Sequence, residues 1–327
     1  MISCCFMKFQ LVPYSIEFQA AWNEAARRMR GQSFLFDRSF MDYHKDRFED
    51  ISLLVFDNRK RVVALLPANV CPNGGRKVES HGGLTYGGLL VAPCLGAREV
   101  MEIFELCRAF YREAGFEQLI YKPMPHIYAI YPAEEDLYAL FREGAVLETR
   151  SLSTVIDLRT PYSLSELRGR KVRRAEKAGL KYVESGLEQV EAFWQMLDEV
   201  LTSRHGTHPV HTVSELRLLM ERFPKQIRLF SVLEGEALVG GCLLFLTTRV
   251  VHVQYIAAST RGKEIGALDF LFDRLILLFQ ADAAERPYFD FGISTEQGGR
   301  VLNEGLTFQK EGFGGRAICY DSYKLRL

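Results

Sequence analysis

The alternation of apolar and polar positions along this chain follows one order twice. In the first half an apolar run at 51–56 breaks at Asp57-Asn58 and resumes at 61–66, and a further run ends at 88–91. Val100, Ile103, Phe104, Cys107 and Tyr111 then recur at helical spacing, and a short run at 118–121 closes the series. In the second half the runs are 227–233 and 237–239, broken at Glu234-Gly235, followed by 250–256. Leu268, Leu271, Phe272, Leu275 and Phe279 follow at helical spacing, then the run at 288–291. Period-two runs predict strands, and a three-to-four spacing predicts one apolar face of a helix. Corresponding features lie about 170 residues apart throughout, the mark of an internal duplication. The pattern predicts a mixed α/β (α+β) protein of two like domains, 1–152 and 153–327, with a ligand cleft between the copies.

Length agrees with two domains, since 327 residues exceed the roughly 250–300 at which one core stops growing. Lys plus Arg and Asp plus Glu both number 41, so whole-molecule charge draws the chain to neither nucleic acid nor anionic lipid, and any such contact needs a local patch. No apolar run approaches the ~20 residues of a membrane span. The first residues lack a charged leader, an apolar stretch and a small-residue cleavage site. Seven cysteines without a repeated CxxC spacing argue against a disulfide framework or a zinc knuckle, and Cys107 and Cys242 read as core residues. These features predict a reduced, soluble, cytoplasmic protein.

Candidate chemistry concentrates in the second half. The stretch 288–315 holds Gly292, Gly298, Gly299, Gly305, Gly312, Gly314 and Gly315 around Asp290, Ser294, Glu296, Arg300, Asn303 and Lys310. Taken singly the glycines read as turn geometry; as a polar, glycine-rich stretch after a strand they read as a site. Residues 165–178 predict a helix ended by Gly179, basic at Arg168, Arg170, Lys171, Arg173, Arg174 and Lys177. It is either a solvated face or a patch for substrate phosphates. Arg261-Gly-Lys-Glu-Ile-Gly-Ala267 precedes the second amphipathic helix, whose free N–H groups suit a pyrophosphate or carboxylate. His205, His208 and His211 are spaced by three, and Pro209 argues against one helical face holding all of them for a metal. His81-Gly-Gly-Leu-Thr-Tyr-Gly-Gly88 reads as a bulged strand or as the rim of a cleft. His252 and Tyr255, on the strand before the helix, are expected on one sheet face. No GxSxG, GxxxxGK[ST] or GxGxxG occurs, so hydrolase, NTPase and dinucleotide readings fall.

Three segments carry a family resemblance: Tyr86-Gly-Gly88, the basic helix at 170–180, and Phe289-Asp-Phe-Gly292 followed by Lys310-Glu-Gly-Phe-Gly314. They resemble the FemAB-like branch of the GNAT superfamily, peptidoglycan bridge-forming aminoacyltransferases and their relatives, over nearly the whole chain. The family places Phe before the lysine where Gln309 stands, with Phe308 one earlier, and two modest helical segments at 187–202 and 213–222 replace its long helical hairpin. The resemblance implies two tandem GNAT-like domains, each a mostly antiparallel mixed sheet flanked by helices, with the working site in the second. The implied activity is transfer of an acyl or aminoacyl group to an amine of a cell-envelope precursor, an amino sugar or peptidoglycan-type substrate. The alternative is a catalytically inactive relative binding a nucleotide-linked or lipid-linked sugar. The co-substrate would be acyl-CoA or aminoacyl-tRNA, with no tightly bound cofactor and no metal, and with peripheral membrane contact open. The expected catalytic residues are Lys310, Asp290 and His252. Substrate contacts are expected from Tyr86, Gly87, Arg173, Arg174, His205, His208, Tyr255, Ser294, Phe313 and Gly314. The loop at 261–267 is similar to the acyl-CoA loop of GNAT acetyltransferases, with Glu264 where that motif has glycine, and implies donor contacts from Arg261, Gly266 and Ala267.

Overall fold

A computed structural model describes residues 8–72 and 74–327. The chain folds as two compact units, Met1–Ser151 with Cys319–Leu327, and Leu152–Ile318.

In the first unit the expected hairpin forms from Leu53–Asp57 and Val62–Leu66, with Phe9–Pro13 and Leu90–Val91 on its two edges, all antiparallel. Asp57 Oδ1 accepts from the amides of Arg59 and Arg61, which ties the hairpin turn. Lys77–Glu79 pairs in parallel with Gln118–Tyr121. Helix Ala97–Glu113 buries the five residues picked out by helical spacing against these strands. One assignment differs from the expected division. Cys319–Leu327 joins this unit, because Tyr323–Arg326 extends antiparallel along Gln118–Tyr121 and Leu325 enters its core.

In the second unit the strand order is Val146–Asp157 (its residues from 152 on), Tyr288–Ile293, Val250–Ala258, Ala237–Leu246, Ile227–Glu234 and Lys181–Ser185. Every neighbouring pair is antiparallel except Val250–Ala258 with Tyr288–Ile293. Ser165 caps the basic helix Glu166–Lys177 and Gly179 ends it at φ +72°. Side chains alternate across the sheet, so its two faces take different helices. Val251 and Val253 join the core built on helix Ala267–Gln280. On the other face helix Val190–His205 presses Phe193 so near Gly241 that a Cβ there would lie 2.8 Å from the ring. Phe272 packs edge-on to Phe289, Phe291 and Phe313, and its truncation to Ala is expected to cost about 3–5 kcal/mol. Cys107 and Cys242 are buried and unbonded. Among the described residues no helix is long and apolar enough to cross a membrane.

Candidate active site

The parallel pairing in the second unit is short. Val250–Ala258 runs beside Tyr288–Ile293 for three rungs, ending at His252 opposite Asp290. Past that rung the second strand follows Val146–Asp157, and among the described residues no strand pairs with the outer edge of Val253–Ala258. The two strands thus part like a V, leaving backbone groups along one arm and a buried polar cluster at the fork. Asp290 is fully buried; its Oδ2 lies 3.1 Å from His252 Nδ1, and its Oδ1 accepts from Ser153 Oγ at 2.5 Å and from the Gly292 amide at 2.9 Å. A carboxylate with this many partners is oriented rigidly, and it fixes the Nδ1–H tautomer of the imidazole, leaving Nε2 as the basic nitrogen.

His252 and Tyr255 are three apart, which in a regular strand would place them on opposite faces. A β-bulge between Val253 and Tyr255 inserts one residue and returns Tyr255 to the face of His252. There the Tyr255 hydroxyl meets His211 Nδ1 at 2.7 Å and the Tyr255 ring packs edge-on to Trp194, whose indole donates to the His211 carbonyl. Burial pushes the Tyr255 phenol up to about 12. His211 of the histidine series therefore reaches the site strand. His208 is exposed and pairs with Asp198, and the His205 side chain lies outside the described residues.

Lys310 comes from a helix that the glycine-rich stretch did not suggest, Glu304–Glu311. Asn303 caps it by accepting from the Leu306 amide, a signal present in the sequence but masked by Gly305 and Gly312. Lys310 Nζ is 6% exposed in its residue and donates to the carbonyls of Gly292 and Ile293 and to Ser294 Oγ at 2.7, 2.9 and 2.8 Å. Burial lowers its ammonium to about 8, and the nearby Asp290 carboxylate opposes that shift. The lysine thus clamps the turn that leaves the fork, with all three donors engaged. Ser294 is buried in the same clamp.

A cavity of about 230 Å³ opens where Val250–Ala258 ends and helix Ala267–Gln280 begins. It is lined by Ile256, Ala257 and Ala258 of the strand and by Lys171, Lys263, Gly266, Ala267, Asp269 and Gln309 among others. Gly266 takes φ +83° at the helix start and offers no capping side chain. Two of the three expected donor-loop residues, Gly266 and Ala267, are here. Arg261 is not: it faces outward and pairs with Glu234. Glu264 is exposed as well, so the acid standing in place of the motif's glycine does not enter the cavity. Of the basic helix it is Lys171 that lines the cavity; Arg173 is exposed, and Arg174 donates to the Glu264 carbonyl.

Other expected contacts serve packing. Phe313 is 1% exposed in the aromatic cluster, and Gly314 supplies a turn at φ +87°. Tyr86 is buried between Phe36 and Tyr128, and a Cβ on Gly87 would lie 1.9 Å from the Ser80 carbonyl oxygen. These two belong to a loop that fills the first unit's own fork. There the last parallel rung is Glu79 opposite Ile120, and the Gly87 amide donates to the Lys122 carbonyl while Lys122 Nζ donates to the Leu84 carbonyl. A larger hollow of about 590 Å³ along helix Ala97–Glu113 is lined partly by Glu105, Arg108 and Glu143, which pair among themselves. Among the described residues no group of three or more His, Cys, Asp or Glu side chains is placed to hold a metal ion.

Residues 167–298 match the family model described as an acetyltransferase (GNAT) domain. No curated protein matches the chain in sequence. Among solved structures, FemX is similar at 10% identity and TM-score 0.68, with 97% of each chain covered. The C-terminal domain of a putative lysylphosphatidylglycerol synthetase from Agrobacterium fabrum is similar at 13% identity and TM-score 0.59, covering 95% of this chain and 91% of that one. A tandem GNAT protein from the clavulanic acid biosynthesis pathway gives 12% identity and TM-score 0.55, with 97% and 98% covered. At these identities the structures speak for the fold, and the family model speaks for the domain that holds the fork and the cavity. Residues 167–298 are thus similar to a GNAT acetyltransferase domain, and the chain as a whole has a fold similar to those of FemX and the tandem GNAT protein.

Proposed function

We propose that this protein transfers an acyl or aminoacyl group to an amine of a cell-envelope precursor, an amino sugar or peptidoglycan-type acceptor, with the second unit as the working site. The observation that carries the reading is the His252–Asp290 pair at the fork, on the arm that leads to the cavity at the start of helix Ala267–Gln280. Amine acylation needs an uncharged nucleophile, a polarised carbonyl and somewhere for the proton to go. His252 Nε2 takes the amine proton as the C–N bond forms, and Asp290 stabilises the imidazolium that results. The proton is returned to the thiolate of CoA or the ribose oxygen of the tRNA as the C–S or C–O bond breaks. Backbone N–H groups on the open edge of Val253–Ala258 hold and polarise the acyl end of the donor. The cavity takes the donor's anionic part, acyl-CoA or the terminus of an aminoacyl-tRNA, against Lys171, Lys263 and the N–H groups of the first helical turn. Lys310 holds the Gly292–Ser294 turn in place; with its three donors engaged, it positions the fork. The reaction is placed in the cytoplasm, where both donors are made. The cell-envelope acceptor rests on the FemAB-like fold.

The test offers the purified protein a panel of acyl-CoAs and aminoacyl-tRNAs with amino-sugar and peptidoglycan-precursor acceptors and follows the new amide by mass spectrometry. Turnover that His252→Ala abolishes, with an unchanged circular dichroism spectrum, supports the reading. No turnover across both donor sets, together with thermal stabilisation by nucleotide-linked sugars, would favour a binding protein that has kept the fold alone.

A further inference from the structure

The donor cavity contains an acid where an anionic ligand is expected. Asp269 is the third residue of helix Ala267–Gln280, is 5% exposed, and lines the cavity. Its Oδ1 accepts from Arg168 Nη1 at 2.5 Å, and its Oδ2 lies 3.8 Å from Lys171 Nζ. Arg168, Lys171 and Arg174 recur every three residues on the basic helix, so they share one face. That face is turned to the donor loop: Arg168 holds Asp269, Lys171 enters the cavity, and Arg174 holds the Glu264 carbonyl. The packing is close, since a Cβ on Gly266 would lie 2.9 Å from the Lys171 carbonyl oxygen. The two cations that hold Asp269 differ in kind. Arg168 is buried, with its Nε lacking a hydrogen-bond acceptor, and it is fixed by packing. The Lys171 side chain is 38% exposed, held at a longer distance, and sits on a flexible stem.

We propose that Asp269 is an internal counter-anion that competes with a phosphate group of the donor for Lys171, so that donor binding exchanges one anion for another. This rests on the reading of the cavity as the donor site. With the cavity empty, Lys171 is shared with Asp269. When a phosphate or diphosphate enters, Lys171 turns to it together with Lys263, while Arg168 alone continues to neutralise Asp269. The acid thereby sets donor affinity below what the same cations would give unaided, which favours release of the spent donor after transfer.

The experiment measures binding of inorganic pyrophosphate, adenosine 3′,5′-bisphosphate and a short single-stranded RNA to the full chain by calorimetry across a salt series. The last two probes separate a nucleotide carrier from an RNA terminus. Asp269→Asn is expected to tighten the preferred probe by about three- to tenfold, and Lys171→Ala to weaken it by a similar factor. In Asp269→Asn/Lys171→Ala the gain from Asp269→Asn should vanish, since the contest is over that lysine. Because Asp269→Asn leaves a buried guanidinium without its carboxylate, Asp269→Asn/Arg168→Met removes the pair together and must show the same gain relative to Arg168→Met. Weaker or unchanged binding in folded Asp269→Asn, with Lys171→Ala still weakening it, overturns the exchange and leaves the donor cavity standing. Failure of the wild-type protein to bind any of the three probes removes both.

Discussion

Glu79 occupies, in the first unit, the ladder position that His252 occupies in the second. Each is the last residue of a short parallel pairing, Glu79 opposite Ile120 and His252 opposite Asp290. Two residues beyond Ile120 stands Lys122, and its counterpart beyond Asp290 is Gly292. The duplication has kept the fork and changed its chemistry. In the first unit Glu79 lies 3.5 Å from Lys122 Nζ, and the loop carrying Gly87 bonds into the opening. The Lys122 ammonium is lowered by burial and supported by Glu79. This is the bonding of a closed structural element. Glu79→Gln and Lys122→Met are therefore expected to reduce unfolding free energy by about 1–3 kcal/mol each, with kcat and KM unchanged. Denaturant titrations and steady-state rates on the same preparations check this, and a selective loss of kcat in either variant would give the first unit a catalytic part.

In the second unit the opposite split is expected. His252→Ala should lower kcat by about 10²–10⁴-fold with little change in KM for the donor. Asp290→Asn preserves the shape but presents the imidazole with an amide, so the Nδ1–H tautomer is no longer enforced, and a loss of the same order follows. Ser153→Ala removes one partner of the buried carboxylate and keeps His252 and the Gly292 amide. A smaller loss, within about tenfold, is expected, together with about 1–3 kcal/mol of stability. The ranking His252 ≈ Asp290 ≫ Ser153 in kcat is the measurable signature; equal effects would mean that the cluster acts through folding.

How much of this was legible beforehand varies with how local the cause is. The strand–helix–strand order, the buried face of Ala97–Glu113 and the ending of the basic helix at Gly179 follow from periodicity and turn chemistry within a few residues, and they stand in the structure. Asp290, His252 and Tyr255 read in the sequence as strand residues beside polar loops, and the first two do meet. That Tyr255 shares the face of His252 depends on a bulge, which no alternation pattern reveals. Ser153 and Asp269 have no sequence signal, and His211 stands out only as one of three spaced histidines, because each reaches its partner across more than 40 residues of sequence, through sheet pairing or helix packing. The two readings of the helix at 165–178, a solvated face or a patch for phosphates, both treat its basic residues alike. In the structure Arg168 is buried and Lys171 lines the cavity, while Arg170, Arg173 and Arg174 are exposed, Arg174 donating to the Glu264 carbonyl. The fate of the last strand was illegible for the same reason: nothing within residues 319–327 names Gln118–Tyr121 as their partner.

The buried Lys310 predicts a pH dependence of stability with a definite sign. Its folded value of about 8 lies below the ordinary 10.5 because burial penalises the charged form. Between those values the unfolded chain keeps a proton that the folded chain has released, so this group makes the protein more stable as pH rises from about 8 towards 10.5. Below about 8 the cost of burying the ammonium is present in full and no longer varies. Urea midpoints for wild type and Lys310→Met at pH 7, 8, 9 and 10 should converge or cross upwards in favour of wild type across that window. A wild-type midpoint that falls relative to Lys310→Met over the same range would mean that the three hydrogen bonds outweigh the desolvation. The same substitution frees the carbonyls of Gly292 and Ile293, so kcat is expected to fall at every pH.

Gly262 offers a test of the donor loop that leaves every charge in place. The loop begins with the Ser259 amide bonded to the Val239 carbonyl, and Ser259 Oγ accepts from the Gly262 amide. A Cβ on Gly262 would lie 1.9 Å from that same carbonyl oxygen and 2.9 Å from its carbon. Both atoms belong to backbone in the middle of the sheet and cannot move aside, so the loop must shift. Gly262→Ala is expected to raise the donor KM several-fold, with kcat retained at saturation, and to cost about 1–3 kcal/mol of stability. Gly240 supplies the control. It lies on the neighbouring strand, and a Cβ there meets the Ala257 carbonyl oxygen and the Ala267 Cβ no closer than 3.4 Å. Gly240→Ala should therefore bind the donor as wild type does. If both substitutions raise KM alike, the effect spreads through the sheet. If neither does, the loop at Gly262 does not hold the donor.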